Sequence, residues 1–198
     1  MKNIVFKIAM NCLPNCFWPL KVKMYKKMLK KYGKNVRIGK RTDLIHPENI
    51  SIGNDVFIAQ NFYASTIKNL IIGDRVMFGP KCAIIGGDHD FSNPFQNMRY
   101  THEKGDNRDI VIEDDAWIGY GTLILKKAMI GEGSIVGAMS VVNQILEPYC
   151  VYVGNPAKKI RPRFASYEEL LSYLEMMKNK YNFMTKYTQE ELKKIYEK

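Results

Sequence analysis

Within IIGGDHDFSNP, residues 84–94, one histidine stands between two aspartates: Asp88, His89 and Asp90. Imidazole, with an ordinary pKa of about 6.5, takes up and returns a proton near neutrality, as deprotonating a hydroxyl during attack on an acyl carbon requires. Asp88, Asp90 or a backbone carbonyl would fix the ring tautomer, and spacing does not choose among them. Asp88, His89, Asp90 and His102 match no strong ligand spacing, so no metal is expected. Cys82 falls at a small-residue position of the repeat described below, which suits an interior side chain better than a thiolate nucleophile. His46, next to Pro47, reads as structural, and neither a GxSxG elbow nor a phosphate-binding loop occurs. Two further groups invite chemistry: Trp117, whose ring needs a cover, and the cations Lys158, Lys159 and Arg161.

The net charge of +10 favours an anionic partner: nucleic acid, a membrane surface or a phosphate-bearing small molecule. Helix-turn-helix, zinc-finger and RNP-like patterns are missing, so nucleic acid is not expected. Cys12, Cys16, Cys82 and Cys150 form no CxxC pair and no disulfide framework, which suits a reducing, cytoplasmic setting. At the start of the chain Lys7, Asn11 and Pro14 interrupt the apolar run, an arrangement unlike a secretory leader.

These residues must be held by something, and the chain between them keeps a six-residue beat. The first position is apolar at Ile52, Ile58, Ile72, Phe78, Ile84, Ile112, Ile118, Ile124, Ile130 and Val136. The second is often glycine (Gly53, Gly73, Gly79, Gly119, Gly131, Gly137), and the fifth small or β-branched (Val56, Val76, Cys82, Ala116, Thr122, Ala128, Ser134, Ser140). Period six is neither helix nor long strand. It predicts short strands and turns, three per coil, winding a three-sided column with first positions stacked inside and small second positions allowing the turn and close coil approach. The beat fails between Ile84 and Ile112, where residues 86–110 leave the column as a polar loop with Pro94 and Gly105; His89 sits at its base.

The repeats over roughly residues 36–163, with DDAWIG (114–119), NFYAS (61–65) and VGNPAKKIRPRF (153–164), resemble the hexapeptide-repeat acyltransferases. The closest branch contains galactoside, maltose, xenobiotic and surface-polysaccharide O-acetyltransferases. The resemblance implies an all-β core, a left-handed parallel β-helix, and acetyl-CoA as co-substrate. It also implies His89 as general base for direct attack by the acceptor. Trp117, Tyr120, Ala138 and Asn143 would line the CoA channel, with Lys158, Lys159 and Arg161 at its phosphates. Tyr63 and Ser65, with Asp88 and Asp90 beside the base, would meet the acceptor. Sites of this family lie between subunits, which implies a homotrimer.

The flanks read as helical. Residues 1–35 form a basic N-terminal segment, with a helix over 20–32 whose apolar stripe is Leu20, Met24, Met28 and Leu29. Its lysines make peripheral membrane contact a second role beside packing. Residues 164–198 form a C-terminal helical extension: Ser166 with Glu169, then Thr188 with Glu191, are capping boxes, the first followed by Leu170, Leu174, Met177 and Tyr181. The expected activity is O-acetylation of a saccharide, in surface-polysaccharide (capsule or O-antigen) biosynthesis given the long loop and Ser65, where similar sugar enzymes often have Asn. The alternatives are N-acylation of a nucleotide-linked amino sugar, acetylation of an antibiotic and, last, a non-catalytic membrane-binding scaffold.

Overall fold

The structure is a computed structural model describing residues 17–101 and 109–197. The expectations for the leader-like start, Cys12, Cys16 and His102 lie outside the described residues. Three sheets form the faces of a left-handed β-helix, with six, seven and five strands, all parallel except the final strand Lys158–Pro162, which pairs antiparallel with Cys150–Val153. Face A runs from Lys31–Tyr32 to Ile145–Leu146, face B from Arg37–Ile38 to Lys158–Pro162, and face C from Asp43–Ile45 to Val141–Val142.

Every first- and fifth-position side chain named above is buried. They stack in register: Ile52, Ile72, Ile112 and Ile130 on face A, Ile58, Phe78, Ile118 and Val136 on face B, and Ala64, Ile84, Ile124 and Val142 on face C. Each fully buried isoleucine contributes about 1.5–3 kcal/mol, so these ladders are the main adhesive between coils.

The turns are made differently from the expectation. The backbone enters the left-handed region at the fourth position, not the second: Asp55 (φ 56°), Asn61 (59°), Arg75 (58°), Lys81 (61°), Asp115 (59°) and Met139 (59°). Such conformations cost non-glycine residues roughly 1–3 kcal/mol. Hydrogen bonds between coils offset that cost, because the N–H of Lys81 reaches Gln60 O at 3.0 Å and that of Met139 reaches Tyr120 O at 2.8 Å. The second-position glycines serve close approach instead. A Cβ on Gly119 would lie 2.6 Å from the backbone nitrogen of Ala138.

The three edges of the column differ. The edge from face A to face B is covered by the C-terminal extension, whose helices α2 (Tyr167–Tyr181) and α3 (Gln189–Lys193) follow the last strand. Tyr187 donates to Glu113 at 2.8 Å, Tyr173 and Arg163 both donate to Asp115 at 2.7 and 2.8 Å, and Lys186 pairs with Glu113. Both helices start at the expected caps: Ser166 accepts from the N–H of Glu169, and Thr188 with Glu191 closes a full capping box. The edge from face C to face A takes all extra length. Coils advance by twenty residues from Ile52 to Ile72 but by eighteen from Ile112 to Ile130, and the long excursion leaves from this same edge.

At the N-terminal end, α1 (Trp18–Met28) closes the first coil. Its inner face keeps only part of the expected stripe, since Leu29 is buried and Met24 packs partly against the core. Trp18, Tyr25 and Leu29 are buried, whereas Leu20 is exposed. The two aromatic rings win because each also satisfies a first-coil carbonyl: Trp18 Nε1 donates to Ile38 O at 3.0 Å, and Tyr25 OH to Thr42 O at 2.9 Å. The first coil begins at Lys31–Tyr32, which pairs with Ser51–Ile52, five residues before the expected position 36.

Candidate active site

His89 follows the strand Ala83–Gly86 at the start of the excursion, with its side chain exposed. Its Nδ1 lies 2.9 Å from the carbonyl oxygen of Thr101, twelve residues further along the loop. A carbonyl only accepts, so Nδ1 carries the proton and Nε2 presents a lone pair. The tautomer is therefore set by a backbone carbonyl, the third of the partners left open by the sequence. Thr101 is buried and its hydroxyl donates to Asp90 O at 2.8 Å, tying both arms of the loop together.

The two aspartates hold the loop. Asp88 Oδ1 accepts the His89 N–H at 2.9 Å, and its Oδ2 pairs with Lys126 at 2.7 Å. Lys126 on the next coil, and then the His89 N–H, pull the Asp88 pKa below the ordinary aspartate value. Asp90 Oδ1 accepts from the Ser92 N–H at 3.0 Å and from its hydroxyl at 2.6 Å, forming a side-chain turn. Beyond it Phe91, Phe95, Met98 and Tyr100 are exposed, Phe95 at 96%.

Tyr63 and Ser65 lie on the neighbouring strand of face C, paired with Ala83 and Ile85, and both side chains are on the outer side. Ser65 is at the excursion's end of that strand and Tyr63 at the other. Asn143, exposed, occupies the excursion's edge further up the column.

The other expected residues belong elsewhere. Trp117, 49% exposed, is on face B; Tyr120 and Ala138 are exposed at the edge between faces B and C. Trp117, Ile135, Val151 and Arg161 share one rung across four strands, which places Arg161 about 14 Å from Trp117 at the ordinary strand spacing. Lys158 and Arg161 are exposed, while Lys159 is held by Glu147 at 2.7 Å. The width of face C separates this row from His89 within one chain.

Cys82 is wholly buried, donates to Gly119 O at 3.1 Å, and has its thiol pushed up to about 11 by burial. A nucleophile would need the reverse. Among the described residues no three His, Cys, Asp or Glu side chains gather as a metal site. Thr101 and Lys126 were not singled out from sequence. Lys126 stands at an ordinary outward position of ILKKAM, and Thr101 is brought back only by the loop's path.

Comparison with known proteins agrees with this architecture. Residues 109–144 match the family model "Bacterial transferase hexapeptide (six repeats)". A chloramphenicol acetyltransferase of Klebsiella aerogenes is 44% identical over 56% of this chain and 59% of its own. A probable macrolide acetyltransferase of Lysinibacillus sphaericus is 33% identical over 52% of this chain and 67% of its own. A putative colanic acid biosynthesis acetyltransferase of Escherichia coli K12 is 28% identical over 67% and 69%. The chain spans only 45–59% of the length of several other curated relatives. A hexapeptide-repeat acetyltransferase of Vibrio cholerae, solved with acetyl coenzyme A, superposes with TM-score 0.69 at 27% identity, covering 80% of this chain and 84% of that one. With the inward ladders, the left-handed fourth positions and the single excursion all in place, the chain belongs to the hexapeptide-repeat acyltransferase family.

Proposed function

We propose that the protein transfers the acetyl group of acetyl-CoA to a hydroxyl of a saccharide, in the building of a bacterial surface polysaccharide. The observation that carries this reading is the imidazole of His89, anchored at Nδ1 by Thr101 O and open at Nε2. Nε2 takes the hydroxyl proton as that oxygen bonds to the thioester carbonyl carbon. The C–S bond then breaks, and the leaving thiolate of CoA recovers the proton from the imidazolium. Trp117 would flank the pantetheine arm, with Tyr120, Ala138 and Asn143 along the channel and Lys158 and Arg161 at the phosphates. Lys159, already paired with Glu147, would contribute less.

In this reading a neighbouring copy brings its Trp117 row to His89 across face C, in a homotrimer in the cytoplasm. The row formed by Phe57, Met77 and Trp117 supports it, being an exposed apolar strip that an isolated column leaves uncovered. The saccharide assignment draws on the colanic acid relative, whose match spans two thirds of both chains, and on the exposed rings of Phe91, Phe95 and Tyr100, which suit the C–H faces of a sugar. A second reading, an antibiotic hydroxyl as acceptor, is favoured by the 44% identity to a chloramphenicol acetyltransferase.

The deciding experiment is thiol release from acetyl-CoA with sugar intermediates and with chloramphenicol as acceptors, products being identified by mass. Release with a sugar, lost in His89→Ala, supports the proposal. Release with chloramphenicol alone transfers the assignment to the second reading, and equal rates for parent and His89→Ala remove the base.

A further inference from the structure

The charge of this chain is not spread over it. Residues 1–42 contain twelve Lys and Arg and no Asp or Glu, so the remaining 156 residues carry a formal −2 against +10 for the whole. Ten of the twelve, from Lys21 to Arg41, belong to α1 and the first coil, at one end of the column.

There α1 turns it outward. Trp18, Tyr25 and Leu29 fix its inner side. At 100° per residue, Leu20, Lys23 and Lys27 fall on the opposite side, with Met24 at the border, partly buried against the core. With Lys26 they line one open groove of about 600 Å³. Lys26 also borders a second hollow of about 690 Å³, shared with Lys31 and Lys34. Phe17 and Leu20 are 50% and 47% exposed, although burying them beside Trp18 would have been the ordinary use of such side chains. Lysines with apolar groups set among them are the two ingredients of an interfacial helix. The apolar tips enter the acyl boundary, and the lysine stems carry their charges back to the headgroups.

We propose that this end of the column docks on an anionic lipid bilayer surface, with Phe17 and Leu20 entering the interface and Lys23, Lys26, Lys27, Lys31 and Lys34 meeting the phosphates. At eleven residues, α1 is too short to cross and lies along the surface. The nearest carboxylates in sequence are Asp43 and Glu48; in space Asp55 also stands beside Lys34, its carboxylate accepting from the Asn35 amide at 2.7 Å. The consequence is that an acceptor carried on a lipid would be met where it resides. Docking itself does not depend on the acetyl-transfer reading.

The test is co-sedimentation of the full chain with phosphatidylcholine vesicles and with vesicles containing phosphatidylglycerol. Circular dichroism of each variant verifies its fold. Binding confined to the anionic vesicles is expected, falling at least tenfold in Lys23→Glu/Lys26→Glu/Lys27→Glu and severalfold in Phe17→Ser/Leu20→Ser. Absent or equal binding to the two vesicle types overturns the proposal, as does binding unchanged by the charge reversals. If soluble polyphosphate competes while Phe17→Ser/Leu20→Ser binds vesicles like the parent, the surface is a general polyanion site and the proposal again fails. Thiol release with a soluble acceptor, measured without vesicles, stands apart from every one of these outcomes.

Discussion

The Nδ1 atom of His89 and the carbonyl oxygen of Thr101, twelve residues apart in sequence, meet at 2.9 Å and close the excursion on itself. This contact aims Nε2 outward. His89→Ala should lower kcat by about 10²–10⁴-fold, the usual contribution of a general base, with a far smaller change in KM for acetyl-CoA. Steady-state thiol release at saturating donor measures it.

Asp88, beside His89 in the loop, and Lys126, from the next coil, position the proposed base. A carboxylate whose folded pKa is depressed stabilises the fold above its unfolded pKa of about 3.9 and loses that contribution as pH falls through the lower folded value. Lys126→Ala removes the largest cause, so the Asp88 carboxylate should titrate at higher pH, as ¹³C resonance shifts would show. The kcat should drop about threefold to tenfold, less than on losing the base, because the pair is partly exposed. Lys126→Arg should restore it.

Cys82 is silent chemistry. With its thiol near 11 and no exposed surface, it should resist thiol reagents at pH 8 in the native protein and react only after denaturation. Cys82→Ala should keep kcat within about twofold and cost about 1 kcal/mol of stability. An acyl-cysteine trapped by mass spectrometry would refute this.

Coil spacing makes a sharper demand at Gly119. Its absent Cβ is occupied by the backbone of Ala138, so Gly119→Ala must push two coils apart. A loss of about 1–3 kcal/mol is expected in thermal or denaturant unfolding, in line with overpacking elsewhere. The same alanine at Gly87, where the near atoms are the flexible tip of Ile67, should cost much less.

The column was legible because period six repeats one burial rule. Each first and fifth position named from sequence is inside, Cys82 and Thr122 included. The turn was not legible. Asp55, Asn61, Asp115 and Gly121 are types that tolerate the left-handed region, but Arg75, Lys81 and Met139 adopt it equally, since the inter-coil hydrogen bond maintains it whatever the residue type. In α1 periodicity weighed Leu20 and Met24 above Trp18 and Tyr25, although the aromatics alone satisfy carbonyls of the first coil. The Thr101 partner of His89 was not readable, because a twelve-residue return of the chain leaves no local pattern behind.

The edges of the column make a last demand. His89 leaves from the C-to-A edge, while Trp117 lies on face B, with Tyr120 at the B-to-C edge. If neighbouring copies complete each site, His89→Ala and Trp117→Ala proteins, each inactive or weakened alone, should complement one another. After joint unfolding and refolding at equal amounts, about a quarter of the interfaces pair an intact His89 with an intact Trp117. Activity should rise to about a quarter of the parent, measured against each variant refolded alone. No gain in mixtures shown by native mass spectrometry to have exchanged subunits would mean that one chain carries the whole site. The loop, not the neighbour, would then have to span face C.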